Sequence, residues 1–148
     1  RGFTELDFAR SHPGGSLGRK LLLHVAEVMH EGAQTPKVGE NASIRDALME
    51  MTAKGLGMTA IVDADDKIIG IFTDGDLRRT LDMDIDLQHS AVTRVMTRGG
   101  IGIQPDKLAA EALKLMEDNK ISGLLVVDEA DRLIGALNMH DLLRAGVV

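Results

Sequence analysis

The sequence has no cysteine, tryptophan or tyrosine, and only three phenylalanines in 148 residues. The missing thiols exclude disulfides, thiolate zinc sites and a cysteine nucleophile, and they fit a reducing compartment, so the cytoplasm is the expected location. The missing aromatics leave no platform on which bases could stack. Positive charge is scarce as well: 17 Lys and Arg stand against 23 Asp and Glu, interspersed, for a net charge of −6. No basic stripe is available to neutralise a phosphate backbone, and nucleic acid is not an expected partner. Apolar runs are as short as Leu21-Leu22-Leu23, far below the roughly 20 residues that cross a bilayer, so no membrane span is expected. The chain opens Arg1-Gly2-Phe3-Thr4, without an initiator Met or a signal-peptide pattern, and is expected to be a piece of a longer protein.

What is present is a 44% apolar fraction built from Ala, Val, Ile, Leu and Met, which predicts an aliphatic core in one compact domain or two small packed units. The ordering principle is an internal repeat. Ala60-Ile61-Val62-Asp63 recurs as Leu125-Val126-Val127-Asp128, Ile68-Ile69-Gly70 as Leu133-Ile134-Gly135, and Asp46-Ala47-Leu48 as Glu111-Ala112-Leu113, all 65 residues on. Val28-Met29 recurs as Val95-Met96 after 67 residues.

Each copy reads strand, helix, strand, strand, helix. Short extended segments at Thr35 to Val38 and Ile101 to Ile103 come first. Ser43 with Asp46 three residues on gives a capping-box start, apolar Ile44, Ala47, Leu48 and Met51 follow at helical spacing, and Gly55 marks the stop. Leu108, Ala112, Leu115 and Met116 repeat the stripe, ending near Asn119. Hairpins follow around Ala64-Asp65-Asp66 and Glu129-Ala130-Asp131. Short helices with Leu77 and Leu81, then Leu142 and Leu143, close the copies. Each copy of about 60 residues buries little alone, so the two are expected to pack helix face on helix face about a pseudo-twofold axis. Before the repeat, Ser11 to Gly18 reads as a loop and Arg19 to His30 as a helix. Met51, Met58, Met83, Met96 and Met116 read as core or interface packing.

The sharpest motif is Gly70-Ile71-Phe72-Thr73-Asp74-Gly75-Asp76, with its counterpart Gly135-Ala136-Leu137-Asn138-Met139-His140-Asp141. A strand ends on a hydroxyl residue and turns into a helix with an acid three positions later. Such a junction offers free backbone N–H groups and a helix N-terminus to a phosphate, with Thr73 adding a hydroxyl and Asp76 accepting from ribose hydroxyls. Taken alone, Thr-x-x-Asp is also an ordinary capping box.

In this repeat context the motif resembles the CBS domain family over about Val25 to Ala145. The resemblance implies an α+β fold of two β-α-β-β-α repeats, with ligand clefts between modules 25–88 and 89–148 and a tail and linker at 1–24. It implies nucleotide binding at Thr73 and Asp76, with the base near Lys37, Val38, Gly57 and Met58. By position, Arg78 and Arg79 follow the loop and are available to phosphate. Asn138 replaces the hydroxyl residue of the second copy while Asp141 is kept, so unequal sites are expected.

Ser11-His12-Pro13-Gly14-Gly15-Ser16-Leu17-Gly18-Arg19 and the ending Met139 to Gly146 resemble the corresponding segments of bacterial arabinose-5-phosphate isomerases, which carry a sugar-isomerase domain before a CBS pair. That resemblance implies that the parent enzyme interconverts ribulose 5-phosphate and arabinose 5-phosphate on the way to Kdo and lipopolysaccharide. His12 would then be a catalytic residue of the parent only, because isomerisation needs an assembled constellation and not one base. It implies CMP-Kdo as an effector, with AMP or ATP as the family-level alternative, the sugar-isomerase domain as a partner, and a homo-oligomer through CBS pairs. No cofactor is required. No metal is expected either, because His24, His30, His89 and His140 form no ligand-spaced pair and have no cysteine partners.

Overall fold

The computed structural model describes residues 22–148, so His12 and the Ser11 to Gly18 loop lie outside the described residues. Element order is α1 (Val25–Val28), β1 (His30–Glu31), β2 (Lys37–Gly39), α2 (Ile44–Lys54), β3 (Met58–Val62), β4 (Ile68–Thr73) and α3 (Asp74–Leu81) in the first half. The second half continues with β5 (Thr97–Arg98), β6 (Gly102–Ile103), α4 (Ala109–Asn119), β7 (Gly123–Val127), β8 (Leu133–Asn138) and α5 (Met139–Arg144). The expected long helix from Arg19 to His30 is, over its described part, a single turn followed by strand β1. No helix among the described residues is long and apolar enough to cross a membrane.

Local chemistry accounts for most boundaries. Ser43 accepts the N–H of Asp46 at 3.0 Å while Asp46 returns the bond to the Ser43 N–H at 3.3 Å, closing a capping box at the start of α2. Gly55 ends it in the left-handed region, with φ 71°. Asp63 and Asp128 hold the two hairpin turns by accepting the N–H groups of Lys67 and Arg132 at 3.0 and 2.9 Å. The Arg132 N–H, ahead of the Ala130 N–H, holds the Asp128 carboxyl below its ordinary pKa against a smaller upward push from desolvation.

Two four-stranded sheets result, ordered β2-β3-β4-β5 and β1-β8-β7-β6. Each contains a strand from the segment before the other repeat. β1, ahead of the first repeat, pairs antiparallel with β8 of the second; β5, ahead of the second, pairs antiparallel with β4 of the first. Packing follows the same exchange: Val25 is in the core of the second sheet with Ala112, Met116 and Leu142, and Val92 and Met96 are in the core of the first with Ile44, Met51 and Phe72. The registers obey the repeat, since Met58 faces Thr73 and Gly123 faces Asn138.

The packing of the halves corrects the helix-on-helix expectation. Met58, Ala60 and Val62 of β3 cluster with Leu125, Leu133 and Ala136 of the other sheet, while Ile61 packs with α2. The sheets therefore meet face to face and the helices cover the outer faces. Burial of both strand faces explains why β3 and β7 are near-continuous apolar runs and not alternating ones. Met83, read from the sequence as core or interface packing, is 50% exposed, and so are Leu81 at 63% and Leu143 at 51%. Leu81 and Leu143 fall in the last turns of α3 and α5, and Met83 comes just after α3.

One core position is imperfectly satisfied. Thr59 is fully buried on β3 and its hydroxyl has no hydrogen-bond partner, whereas its counterpart in the second repeat is Leu124. Thr59→Val, which keeps the shape and removes the orphan hydroxyl, is expected to raise stability by about 1 kcal/mol. Urea denaturation of the two proteins checks this as a higher midpoint at unchanged slope.

Candidate ligand cleft

At the end of β4 the chain passes through Thr73, extended at φ −122°, into α3. Asp76 is 2% exposed, and its carboxylate is fully engaged. It accepts the Thr73 N–H at 3.0 Å, the Thr73 hydroxyl at 3.1 Å, the Thr97 hydroxyl at 2.8 Å and the Arg79 guanidinium. The first turn of α3 is thereby tied to its own strand and to β5.

Facing this junction across the sheet-to-sheet contact is the turn after α4. Together they enclose a cleft of about 500 Å³, within the usual range for small-molecule sites. Its lining takes Leu56, Gly57, Met58 and Ile71 as an apolar floor, and Thr73, Asp74, Gly75, Thr97, Arg98, Lys120 and Ser122 as polar walls. Gly57 sits there at φ 76°, where a Cβ would lie 3.3 Å from the Asp74 carboxylate. A larger groove of about 690 Å³ near Asn41 to Met49 and Gln88 to Ala91 lies on the first repeat and its linker alone, away from both motifs.

The structure thus brings together Thr73, Gly57 and Met58 and leaves the other expected residues elsewhere. Lys37 extends its ammonium to Asp66 at 3.0 Å, at the hairpin end of the sheet. Val38 packs into the core under α2. Both belong to β2, at the opposite edge of the sheet from β5. Arg78 is exposed on α3, and its neighbour Arg79 is the one that reaches the motif. Asp76 lies behind the wall as its anchor.

Arg98, Lys120 and Ser122 were missed. Sequence offered one signal: Lys120-Ile121-Ser122 is the repeat copy of Gly55-Leu56-Gly57, so a cleft facing one turn on a pseudo-twofold had to face the other.

The second junction differs. Asp141 accepts from the Asn138 N–H at 2.8 Å, from Arg144 at 2.6 Å, and pairs with the His30 ring at 2.8 Å, where the first repeat has Thr97. Asn138 caps α5 through its Oδ1, and its Nδ2 donates to the Leu56 carbonyl at 3.5 Å. By register, Glu31 stands where Arg98 stands in the first site, and Gly55 where Lys120 stands. The second site therefore replaces a pair of cations by an acid and a glycine. Among the described residues no group of three or more His, Cys, Asp or Glu side chains is placed to hold a metal ion.

Comparison with known proteins agrees with this architecture. Residues 25–82 and 92–148 match the CBS domain family. The chain belongs to that family. As a CBS pair it has the α+β organisation of two β-α-β-β-α repeats expected from the sequence. Over its whole length it is 61% identical to arabinose 5-phosphate isomerase KdsD of Pseudomonas aeruginosa and 58% identical to that of Yersinia pestis. It spans 45% of the length of each. Among solved structures, the CBS domain pair of protein MJ0100 in complex with 5'-methylthioadenosine and S-adenosyl-L-methionine matches at a TM-score of 0.73 and 25% identity, covering 82% of this chain and 97% of that one. The CBS domain protein PAE2072 from Pyrobaculum aerophilum complexed with AMP gives a TM-score of 0.73 at 18% identity, over 85% and 100% of the two chains, a likeness of fold alone.

Proposed function

We propose that this CBS pair is the nucleotide-sensing regulatory part of a cytoplasmic arabinose-5-phosphate isomerase, and that the first cleft is its effector site. The observation that carries the reading is the cleft itself. One wall presents the Thr73 hydroxyl at a helix start, and Arg98 and Lys120 supply positive charge, over an apolar floor that suits a base. The ligand-bound CBS pair of MJ0100 and the 61% identity of the whole chain to 45% of a KdsD isomerase support the same reading. The effector proposed is CMP-Kdo, with AMP or ATP as alternatives. Catalysis belongs to the sugar-isomerase domain and, by the resemblance of its loop, to His12. The CBS pair acts by binding its ligand with different affinity in two states of the enzyme.

Calorimetry with CMP-Kdo, CMP, AMP and ATP tests this. One ligand per chain is expected, with the Thr73 hydroxyl turning from Asp76 to the phosphate, and Thr73→Val is expected to weaken the productive ligand about ten-fold by removing that charge-assisted hydrogen bond. Absence of heat with all four compounds, or two equal sites per chain, overturns it.

A second reading has its own support: Leu81 and Met83, large and more than half or half exposed around the end of α3, fit a CBS pair that holds subunits together. Sedimentation velocity at micromolar concentration is expected to show a dimer or larger if this is so. A monomer removes it.

A further inference from the structure

We propose that Lys120 is a phosphate-binding residue of the first cleft, kept for that purpose at a backbone position made for glycine. This rests on the nucleotide reading above and adds to it the group that selects a phosphorylated ligand.

Only three non-glycine residues among those described have positive φ: Asp66 at 60°, Lys120 at 54° and Asp131 at 66°. The two Asp residues occupy equivalent places in the two hairpin turns, and a short polar side chain tolerates the left-handed region. Lys120 has no such excuse. Its counterpart in the first repeat is Gly55, at φ 71°, and both residues end an eleven-residue helix by donating their N–H to a carbonyl of the last turn. The fold asks for a left-handed residue at this point, and glycine meets the demand without strain.

Packing does not compensate the lysine. Its side chain is exposed, and among the described residues neither it nor Arg98 is within ion-pair reach of a carboxylate. A cation favours the C-terminal end of a helix. In α2, however, Lys54 occupies the last turn from within the helix and pairs with Glu50, so that benefit does not require a left-handed lysine. What the position does provide is a place on the wall of the cleft that also holds Thr73, Gly75 and Arg98. Two cations unpaired among the described residues, converging with a hydroxyl at a helix start, suit an anionic phosphate, for which lysine is a mobile point charge. Backbone strain kept beside a binding cleft is the pattern expected where function sets the residue.

The experiment compares AMP with adenosine and CMP with cytidine, by calorimetry on the chain and on Lys120→Gly, Lys120→Met and Lys120→Arg. Lys120→Gly removes both strain and charge, Lys120→Met removes charge alone, and Lys120→Arg keeps both. Nucleotide affinity is expected to fall about ten-fold in the Gly and Met variants and to stay within about two-fold in the Arg variant, with nucleoside affinity unchanged throughout. Nucleotide binding by the Gly and Met variants should also be less sensitive to salt. Unchanged nucleotide affinity in those two variants, with Lys120→Gly unfolding at lower temperature, assigns the residue to the helix end and overturns the proposal. Equal weakening of nucleosides and nucleotides overturns it too. A wild-type chain that binds neither AMP nor CMP removes the adenosine- and cytidine-nucleotide reading of the cleft and the proposal with it, a result distinct from binding that the substitutions leave intact.

Discussion

Gly135→Val is expected to lower the stability of the fold by about 3 kcal/mol. Gly135 lies in β8 where the exchanged strand β1 crosses it, paired with Glu31. A Cβ there would stand 2.6 Å from the carbonyl oxygen of His30 and 3.0 Å from Met29 Sδ. The sulfur can move, but the carbonyl belongs to the backbone of β1, so the strand itself has to leave. With it go the His30 pairing to Asp141 and the docking of α1, whose Val25 is fully buried in the second core. Gly70, 65 residues earlier, is its counterpart: a Cβ there would meet the Thr97 carbonyl of β5 at 2.9 Å as well as the Met96 side chain. Gly70→Val is expected to behave alike. Gly39→Val is the control, because nothing lies within 4 Å of the added Cβ, and its effect should stay within about 0.5 kcal/mol. Urea unfolding of the three variants measures all of this. Equal midpoints for Gly135→Val and Gly39→Val would show that β1 is not held where the structure places it.

That pair of glycines also marks the limit of what sequence pattern reveals. The repeat, the three capping boxes at Ser43, Thr73 and Asn138, the hairpins and the Gly55 stop were legible, because each depends on residues within a few positions of one another. β1 and β5 were not. Two residues cannot display a period of two, and their partners lie over a hundred residues away for β1 and nearly thirty for β5. The face-to-face arrangement of the sheets was hidden for a related reason. Strands buried on both faces show no alternation, so Met58 to Val62 gives no hint of which side meets the other sheet. In the cleft, Thr73 could be found from motif and repeat, and Gly57 and Met58 from the family resemblance. Lys120 was signalled only by its repeat relation to Gly55, and Arg98 not at all, since it is the pairing of β5 with β4 that carries Arg98 beside Thr73.

Asp76→Ala is the other substitution with a large expected effect, and it separates two roles for one carboxylate. The change leaves the Thr73 N–H and the Thr97 hydroxyl without their acceptor and removes the box that starts α3. Arg79 is 70% exposed and its pairing adds little. The sum is a loss of about 2–3 kcal/mol, read as a lower urea midpoint. Such a loss would depress ligand binding through the fold alone, so affinity in the alanine variant cannot tell whether Asp76 also meets a ribose. The geometry supplies a cleaner comparison. All four acceptor directions of the carboxylate are taken; binding of phosphate frees the one filled by the Thr73 hydroxyl, and an incoming ribose hydroxyl can also displace the exposed Arg79 contact. Ribose recognition therefore predicts that AMP outbinds its 2'-deoxy form by about ten-fold, that Asp76→Asn compresses this ratio, and that Arg79→Ala leaves AMP binding no weaker. A ratio that survives Asp76→Asn makes the carboxylate a cap and nothing more, and leaves selection of the ligand to Thr73, Arg98 and Lys120.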